Sequence, residues 1–423
     1  MLKQIKQYKS ILSNSKEGKT VFANFGYLSL LQLAGYIFPL ITLPYLARVI
    51  GTDGFGKIAF AAAIISWIQT IADWGFNYTA TRDVAQHQSN KKKVSEIFSN
   101  VLWARCLLTF ISLIILLFVI LIIPSFRENI TIILVTFLIV PGHVFFPDWF
   151  FQALEKMKYT TIFNIIVKLL FTILCFVVIK EKEDYIYQPI LTSIGYLICG
   201  IVSLWLILHK WGYSLVRPNL SKIISTIKAS SDVFLNNIVP NLYNSFSVML
   251  LGSWSGTVAN GIFDGGNKFN TIVYQFHSVI SRAFFPFLSR RQDKMLVFQR
   301  LNMISGIFFS ILLFLFAPII VNLMLAPEFS ESTIVLRILA ISMIFMVMSN
   351  TYGTNYLIIV HEERILRNIT IVCSIFGMAI SFPLVYFFSY VGAALTVFIS
   401  RFVLGLTTYI YAKIIYKKNN YGK

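Results

Sequence analysis

The sequence predicts an all-α integral membrane protein of twelve transmembrane helices, in two six-helix bundles facing each other across a cavity. Three observations predict it. Only 13% of the 423 residues are charged and 57% are hydrophobic, whereas a soluble domain carries about 25% charged residues. One stretch of spanning length, Gly261 to Arg282, is polar along a single face from end to end. Two short motifs also recur at nearly one offset, as a chain of two like halves requires: Gly51-Thr52-(x)3-Gly56 with Gly256-Thr257-(x)3-Gly261, and Pro124-x-Phe126-x-Glu128 with Pro327-x-Phe329-x-Glu331.

A span needs about 20 mostly apolar residues. Residues 1–20 are basic and polar and lead straight into an uncleaved first span. Leu2, Ile5, Tyr8 and Leu12 are spaced either for a short amphipathic helix on the membrane surface or for a loose tail. The N-terminal bundle, 21–208, holds spans at 21–46, 57–81, 100–123, 130–152, 159–179 and 187–208. A basic linker with Gly212 and Pro218 covers 209–230. The C-terminal bundle, 231–414, holds spans at 231–251, 257–283, 302–325, 333–359, 368–388 and 391–414, and a tail covers 415–423. An even number of spans per half sets both halves the same way up, so the axis relating them is a pseudo-two-fold along the membrane normal.

Loop charge sets the orientation. The N-terminal tail, Arg82 with Lys91–Lys93, Lys156 with Lys158, the linker, the 290–300 segment, Arg364 with Arg367 and the C-terminal tail gather most of the cations on one side. The other side holds Arg48, Lys57, Arg127, Lys180 and Lys182. Both termini are therefore placed in the cytoplasm. The net charge of +18 follows from these loops rather than from nucleic-acid binding, for which no motif is present.

The polar stripe carries the functional argument. Asp264, Lys268, Thr271, Gln275, Ser278 and Arg282 lie within an arc of about 80° at roughly 100° per residue. A charge at mid-bilayer costs about 2.5–3.5 kcal/mol on insertion scales, so three on one line call for a hydrated cavity. Span two carries Ser66, Gln69, Asp73 and Asn77 on one face, and span seven carries Asn237, Asn241 and Asn244. The asparagines suit interhelical hydrogen bonding as well as they suit a cavity. Lys168 and Arg401 sit near the middle of their spans, where snorkelling is difficult; Arg105 and Arg337 lie near span ends, where it is expected. Arg48 and Arg82 flank the first hairpin. With cations in excess, the candidate anion-binding set is Arg48, Arg82, Lys168, Lys268, Arg282 and Arg401, and the ligand expected is a phosphate head group. Asp73 and Asp264 are the candidate acids for ion coupling.

Catalytic patterns are missing: there is no GxSxG, HExxH or Walker loop, and the five histidines are scattered at no metal-ligand spacing. No cofactor or metal is expected. Cys106, Cys175, Cys199 and Cys373 lie in or beside apolar runs and read as packing residues.

Three segments resemble a known family. Pro147-Asp148-Trp149-Phe150-Phe151-Gln152-Ala153-Leu154-Glu155-Lys156-Met157-Lys158-Tyr159, Leu43 to Gly51 with Gly54-Phe55-Gly56, and Asp73 to Asp83 look like signature stretches of the Wzx-type (RfbX-like) O-antigen and polysaccharide repeat-unit flippases. The resemblance implies the fold of the multidrug/oligosaccharidyl-lipid/polysaccharide exporter superfamily, V-shaped around a central cationic cavity. It implies translocation of undecaprenyl-pyrophosphate-linked oligosaccharide between the leaflets of a bacterial inner membrane, as a monomer, with a polysaccharide polymerase as downstream partner. Read without the resemblance, Trp149 and Phe150 suit the membrane interface, and Glu155, Lys156 and Lys158 suit a tight polar turn.

Two other classes are weighed against this one. A cation-coupled multidrug antiporter of the toxin-extrusion type wants acids in the cavity, yet span one has no Asp or Glu. A membrane-embedded polymerase wants a large external loop, and the loops opposite the basic side are all short.

Overall fold

The computed structural model describes residues 16–290 and 292–421; its side-chain detail leaves out 16–22, 25, 236, 276, 279–280, 282–283, 285–287, 289–290, 292 and 419–421. The amphipathic expectation for Leu2 to Leu12 lies outside the described residues, and so does the side chain of Arg282.

In chain order the α-helices are α1 (Lys16–Asp73), α2 (Phe76–Gln86), α3 (Lys91–Ile122), α4 (Pro124–Glu128), α5 (Ile130–Phe137), α6 (Ile139–Phe145), α7 (Asp148–Ala153), α8 (Met157–Val178) and α9 (Tyr187–Trp205). There follow α10 (Leu220–Ile238), α11 (Ser245–Trp254), α12 (Gly256–Arg290), α13 (Met295–Met324), α14 (Ser332–Ser349) and α15 (Glu363–Tyr421). Among the described residues, eight helical stretches are long and apolar enough to cross a membrane. Two of these run for 61 and 56 residues, and each contains a break. In α1 the break is Gly51, at φ 65° and ψ −174°, a conformation a glycine adopts without a Cβ penalty. In α15 it is Ser389, at φ 49° and ψ −128°, which for a residue with a Cβ stores of order 1–3 kcal/mol. The breaks fall where the sequence separates spans one from two and eleven from twelve. Residues 220–290 are helical as well, but the polar residues that mark spans seven and eight make them less apolar than the others.

Prolines account for the interruptions. Pro240 ends α10 in a 3-10 turn, Val239–Leu242, before α11 resumes. Around Pro141 and Pro147 the fourth span is divided into α5, α6 and α7. The helix α10 packs on the N-terminal helices: Trp74 stacks on Phe234 with ring centroids 3.8 Å apart, Trp74 Nε1 donates to the Ile227 carbonyl at 3.0 Å, and Lys222 pairs with Glu96 at 2.5 Å.

One core fills the N-terminal half around Phe60, Phe76, Phe98, Trp149, Phe150 and Phe151. Trp149 and Phe150 are thus buried, at 2% and 0% exposure, and not interfacial as the sequence suggests. The correction has a local cause. Glu155, at φ 57°, reverses the chain, and Lys156 N–H closes the turn on the Phe151 carbonyl at 2.8 Å. That folds the aromatic run inward against Phe98 and Tyr213, while Gln152, Glu155 and Lys158 stay exposed and the half-buried Lys156 sets its ammonium 3.7 Å from the Trp211 ring centre. A second core joins the halves: Ile50 and Phe55 pack with Val321, Phe329 and Leu336.

Candidate substrate cavity

A cavity of about 380 Å³ lies where the two limbs of α1, α8 and the start of α9 meet α12. Asp264, Lys268, Thr271 and Gln275 all line it, because their spacing places them on one face of an uninterrupted helix. Lys168 enters from α8. A Cβ built on Gly35 would stand 3.3 Å from its Nζ, so the ammonium lies against bare backbone of the first limb. Gln188 adds an amide. A second cavity of about 220 Å³ shares Asp264 and Lys268 and is closed by Ser66, Asn244, Ser245 and Asn267.

Charge within the cavity is unequal. Lys268 Nζ lies 3.2 Å from Asp264 Oδ2, with the lysine half-exposed and the aspartate mostly buried. No acid reaches Lys168 among the described residues, so the lining of two ammonium groups and one carboxylate carries a net positive charge. A partly desolvated, unpaired cation is held at a cost that an anionic ligand relieves.

The remaining candidates lie elsewhere. Arg48 is exposed and donates to the Leu323 carbonyl at 2.8 Å. Arg82 is exposed, paired with Asp83 at 3.0 Å, and lines a separate cavity of about 390 Å³ with His87 and Lys93. Arg401 is buried at 7% exposure and donates to Ser342 Oγ at 3.0 Å; it sits among the C-terminal helices and not on the central lining. Asn237 is exposed. Asn241 donates to Thr70 Oγ1 at 3.0 Å, the interhelical bond that was one of its two readings, while Asn244 lines the smaller cavity. The 3-10 turn at Pro240 breaks the helical register that would have aligned the three.

Asp73 forms an ion pair with Arg105, whose side chain is 3% exposed. This overturns the snorkelling expectation for Arg105. The guanidinium turns inward to the Asp73 carboxylate on a neighbouring helix, and that pairing takes the place of snorkelling. Gln69 is half-buried. Asn77 lies past the break at Trp74 and Gly75, both of positive φ, and its buried Oδ1 has no partner among the described residues. Gln188 was missed because it opens its helix just ahead of an apolar run, and Asn267 because the face drawn through Asp264, Lys268 and Thr271 leaves it to one side.

At the Gly51 end the two halves are clasped. Thr257 Oγ1 donates to Asp53, Thr52 N–H donates to Glu328 Oε2 at 3.3 Å, and Lys182 pairs with Glu328 at 3.3 Å. The cavity is therefore shut at that end.

A helical membrane protein with a polar internal cavity between two sets of helices is built as transporters are built, and comparison with known proteins agrees. The protein belongs to the family described as polysaccharide biosynthesis protein, whose model matches residues 21–292. It is 29% identical over 381 residues to the "Putative O-antigen transporter" of Escherichia coli (strain K12), covering 88% of this chain and 92% of that one. The solved structure of the lipid II flippase MurJ in an inward closed conformation superposes with a TM-score of 0.72 at 14% identity, over 91% of this chain and 87% of that one. An inward-facing multidrug resistance MATE family transporter of the MOP superfamily gives 0.64 at 13% identity, over 92% and 97%. At these identities the likeness establishes the fold, and that fold implies twelve spans.

Proposed function

We propose that the protein is a flippase that moves undecaprenyl-pyrophosphate-linked oligosaccharide repeat units from the cytoplasmic to the periplasmic leaflet of a bacterial inner membrane. Two six-helix bundles, 21–208 and 231–414, related by a pseudo-two-fold along the membrane normal, would rock about the linker 209–230 as a V-shaped pair. The clasped Gly51 end is the periplasmic end, so the described state faces inward or is closed. One observation carries the reading: Lys168 from one half and Lys268 from the other line the same cavity, where among the described residues Asp264 is the single acid and is already paired. Pyrophosphate bridges two such cations well. Gln188, Gln275 and Asn267 offer the amides that sugar hydroxyls need. A drug-cation antiporter would instead want an uncompensated carboxylate here. Asp264 and Asp73, each held by a cation, are the acids through which an ion gradient would couple.

The protein acts as a monomer in this reading, with a periplasmic polymerase taking the product. The test is surface polymer in a deletion strain carrying Lys168→Gln, Lys268→Gln or both, at matched protein levels. The double variant is expected to lose export and Lys168→Arg to keep most of it; normal polymer from the double variant would remove the phosphate role.

A further inference from the structure

The seam between the second limb of α1 and α11 has two unlike sides. Facing inward, Ala63 and Ser66 of α1 and Ser245 and Val248 of α11 wall the 220 Å³ cavity that holds Asp264 and Lys268. Facing outward, Ile64, Trp67, Ile68 and Ile71 of the same limb, with Phe246 and Met249 of α11, wall an apolar groove of about 420 Å³. Its far side is α3, whose Ile115 is 55% exposed where the groove meets the lipid face. At about 100° per residue, the centres of the two sets of residues lie roughly 100–120° apart around each helix. The wall between them is thin: Ser66 Oγ donates to Ser245 Oγ at 2.8 Å, a contact between two of the smallest side chains.

The geometry points to this seam as the lipid gate, with the apolar groove as the site for the polyisoprenoid chain of an anionic carrier whose head group sits at Lys268. The inference rests on the flippase reading and adds where the chain goes. The occupant is chosen by what lies across the wall. An ordinary phospholipid chain fits the groove but has no reason to prefer it; an amphiphile with a long branched chain and a pyrophosphate head finds an apolar trough and a cation on opposite sides of one seam. Parting Ser66 from Ser245 joins the two. The chain then stays in a lipid-like setting while the head enters water, so neither portion pays for transfer into the wrong medium.

The test uses the full-length protein in nanodiscs of phosphatidylethanolamine and phosphatidylglycerol, with a polyprenyl pyrophosphate carrying a diazirine in its chain. Labelled peptides are mapped with and without unlabelled polyprenyl pyrophosphate or excess phosphatidylglycerol. The expected result is label on the 64–71 and 246–249 segments that polyprenyl pyrophosphate removes and phosphatidylglycerol does not. Ile68→Trp, which fills the groove, should cut that label several-fold. Independently, Ser66→Cys with Ser245→Cys should stop polymer export when oxidised and restore it on reduction, while neither single variant does. Competed label on other helices, or export through the oxidised pair, overturns the gate but leaves the flippase reading intact. Label that phosphatidylglycerol removes equally well makes the groove a general lipid site and overturns the assignment. No competed label anywhere counts against the flippase reading itself, and the gate falls with it.

Discussion

Gly56 lies directly on the carbonyl of Thr257: a Cβ built on it would fall 1.7 Å from that oxygen. The relation is reciprocal, since a Cβ on Gly261 would fall 2.0 Å from the Thr52 carbonyl. The repeated Gly-Thr-(x)3-Gly motif thus makes a reciprocal contact between α1 and α12. Each half supplies the bare glycine that the other half's threonine backbone needs.

Gly56→Ala should therefore part the halves at this end. The obstacle is rigid backbone, not a movable side chain, so the cost of the closed state should reach the upper part of the roughly 1–3 kcal/mol typical of overpacking. A cysteine at Asp53 should then react faster with a membrane-impermeant thiol reagent in Gly56→Ala than in the parent. Equal rates would mean that the contact does not hold the end shut.

The clasp beside it should be insensitive to pH in the ordinary range. Burial alone would raise the Asp53 carboxyl, but hydrogen bonds from Lys57 and Thr257 outweigh it and hold the group below its usual 3.8. A lowered folded-state value means that the carboxylate stabilises the clasp fully above 3.8 and that this is lost as pH falls through the lowered value. The distance between spin labels attached at positions 48 and 323 should thus be flat over roughly pH 5–8. Replacing Asp53 and Thr257 together by Ala should show coupling of about 0.5–3 kcal/mol in a double-mutant cycle.

The buried pair of Asp73 and Arg105 gives an asymmetric expectation. The Asp73 side chain is 36% exposed and that of Arg105 only 3%. Asp73→Asn leaves a buried guanidinium unpaired, whereas Arg105→Gln leaves a carboxylate that water can reach. The first should cost about 3–5 kcal/mol and the second clearly less, read as thermal stability in detergent. A reversed order would mean that the carboxylate, not the guanidinium, is the more confined charge.

How much of this was legible follows from what sequence can encode. The α12 stripe was readable because a straight helix turns spacing into a face, so Asp264, Lys268, Thr271 and Gln275 come together. The alignment of Asn237, Asn241 and Asn244 was not, because the turn at Pro240 cancels the periodicity between them. Arg105 was misjudged because its partner lies 32 residues away on another helix, and position within a span says nothing of pairing. Arg48 was read as a cation beside the first hairpin turn, but the Leu323 carbonyl that it meets, 275 residues away, has no signature that a single sequence displays.

The aromatic motif supplies the last expectation. Phe150 is fully buried, with Phe98 at 4.8 Å and Tyr213 at 5.2 Å between ring centres. Phe150→Ala should remove about 3–5 kcal/mol of stability, and its effect on export should track protein abundance. Phe150→Leu, which keeps most of the volume, should restore both together. Lys168→Gln should behave in the opposite way, with export falling while abundance holds, since its ammonium lies against the Gly35 backbone and lines the cavity. If Phe150→Ala kept its abundance and still lost export, the motif would belong to the transport path and not to the core that holds the path in shape.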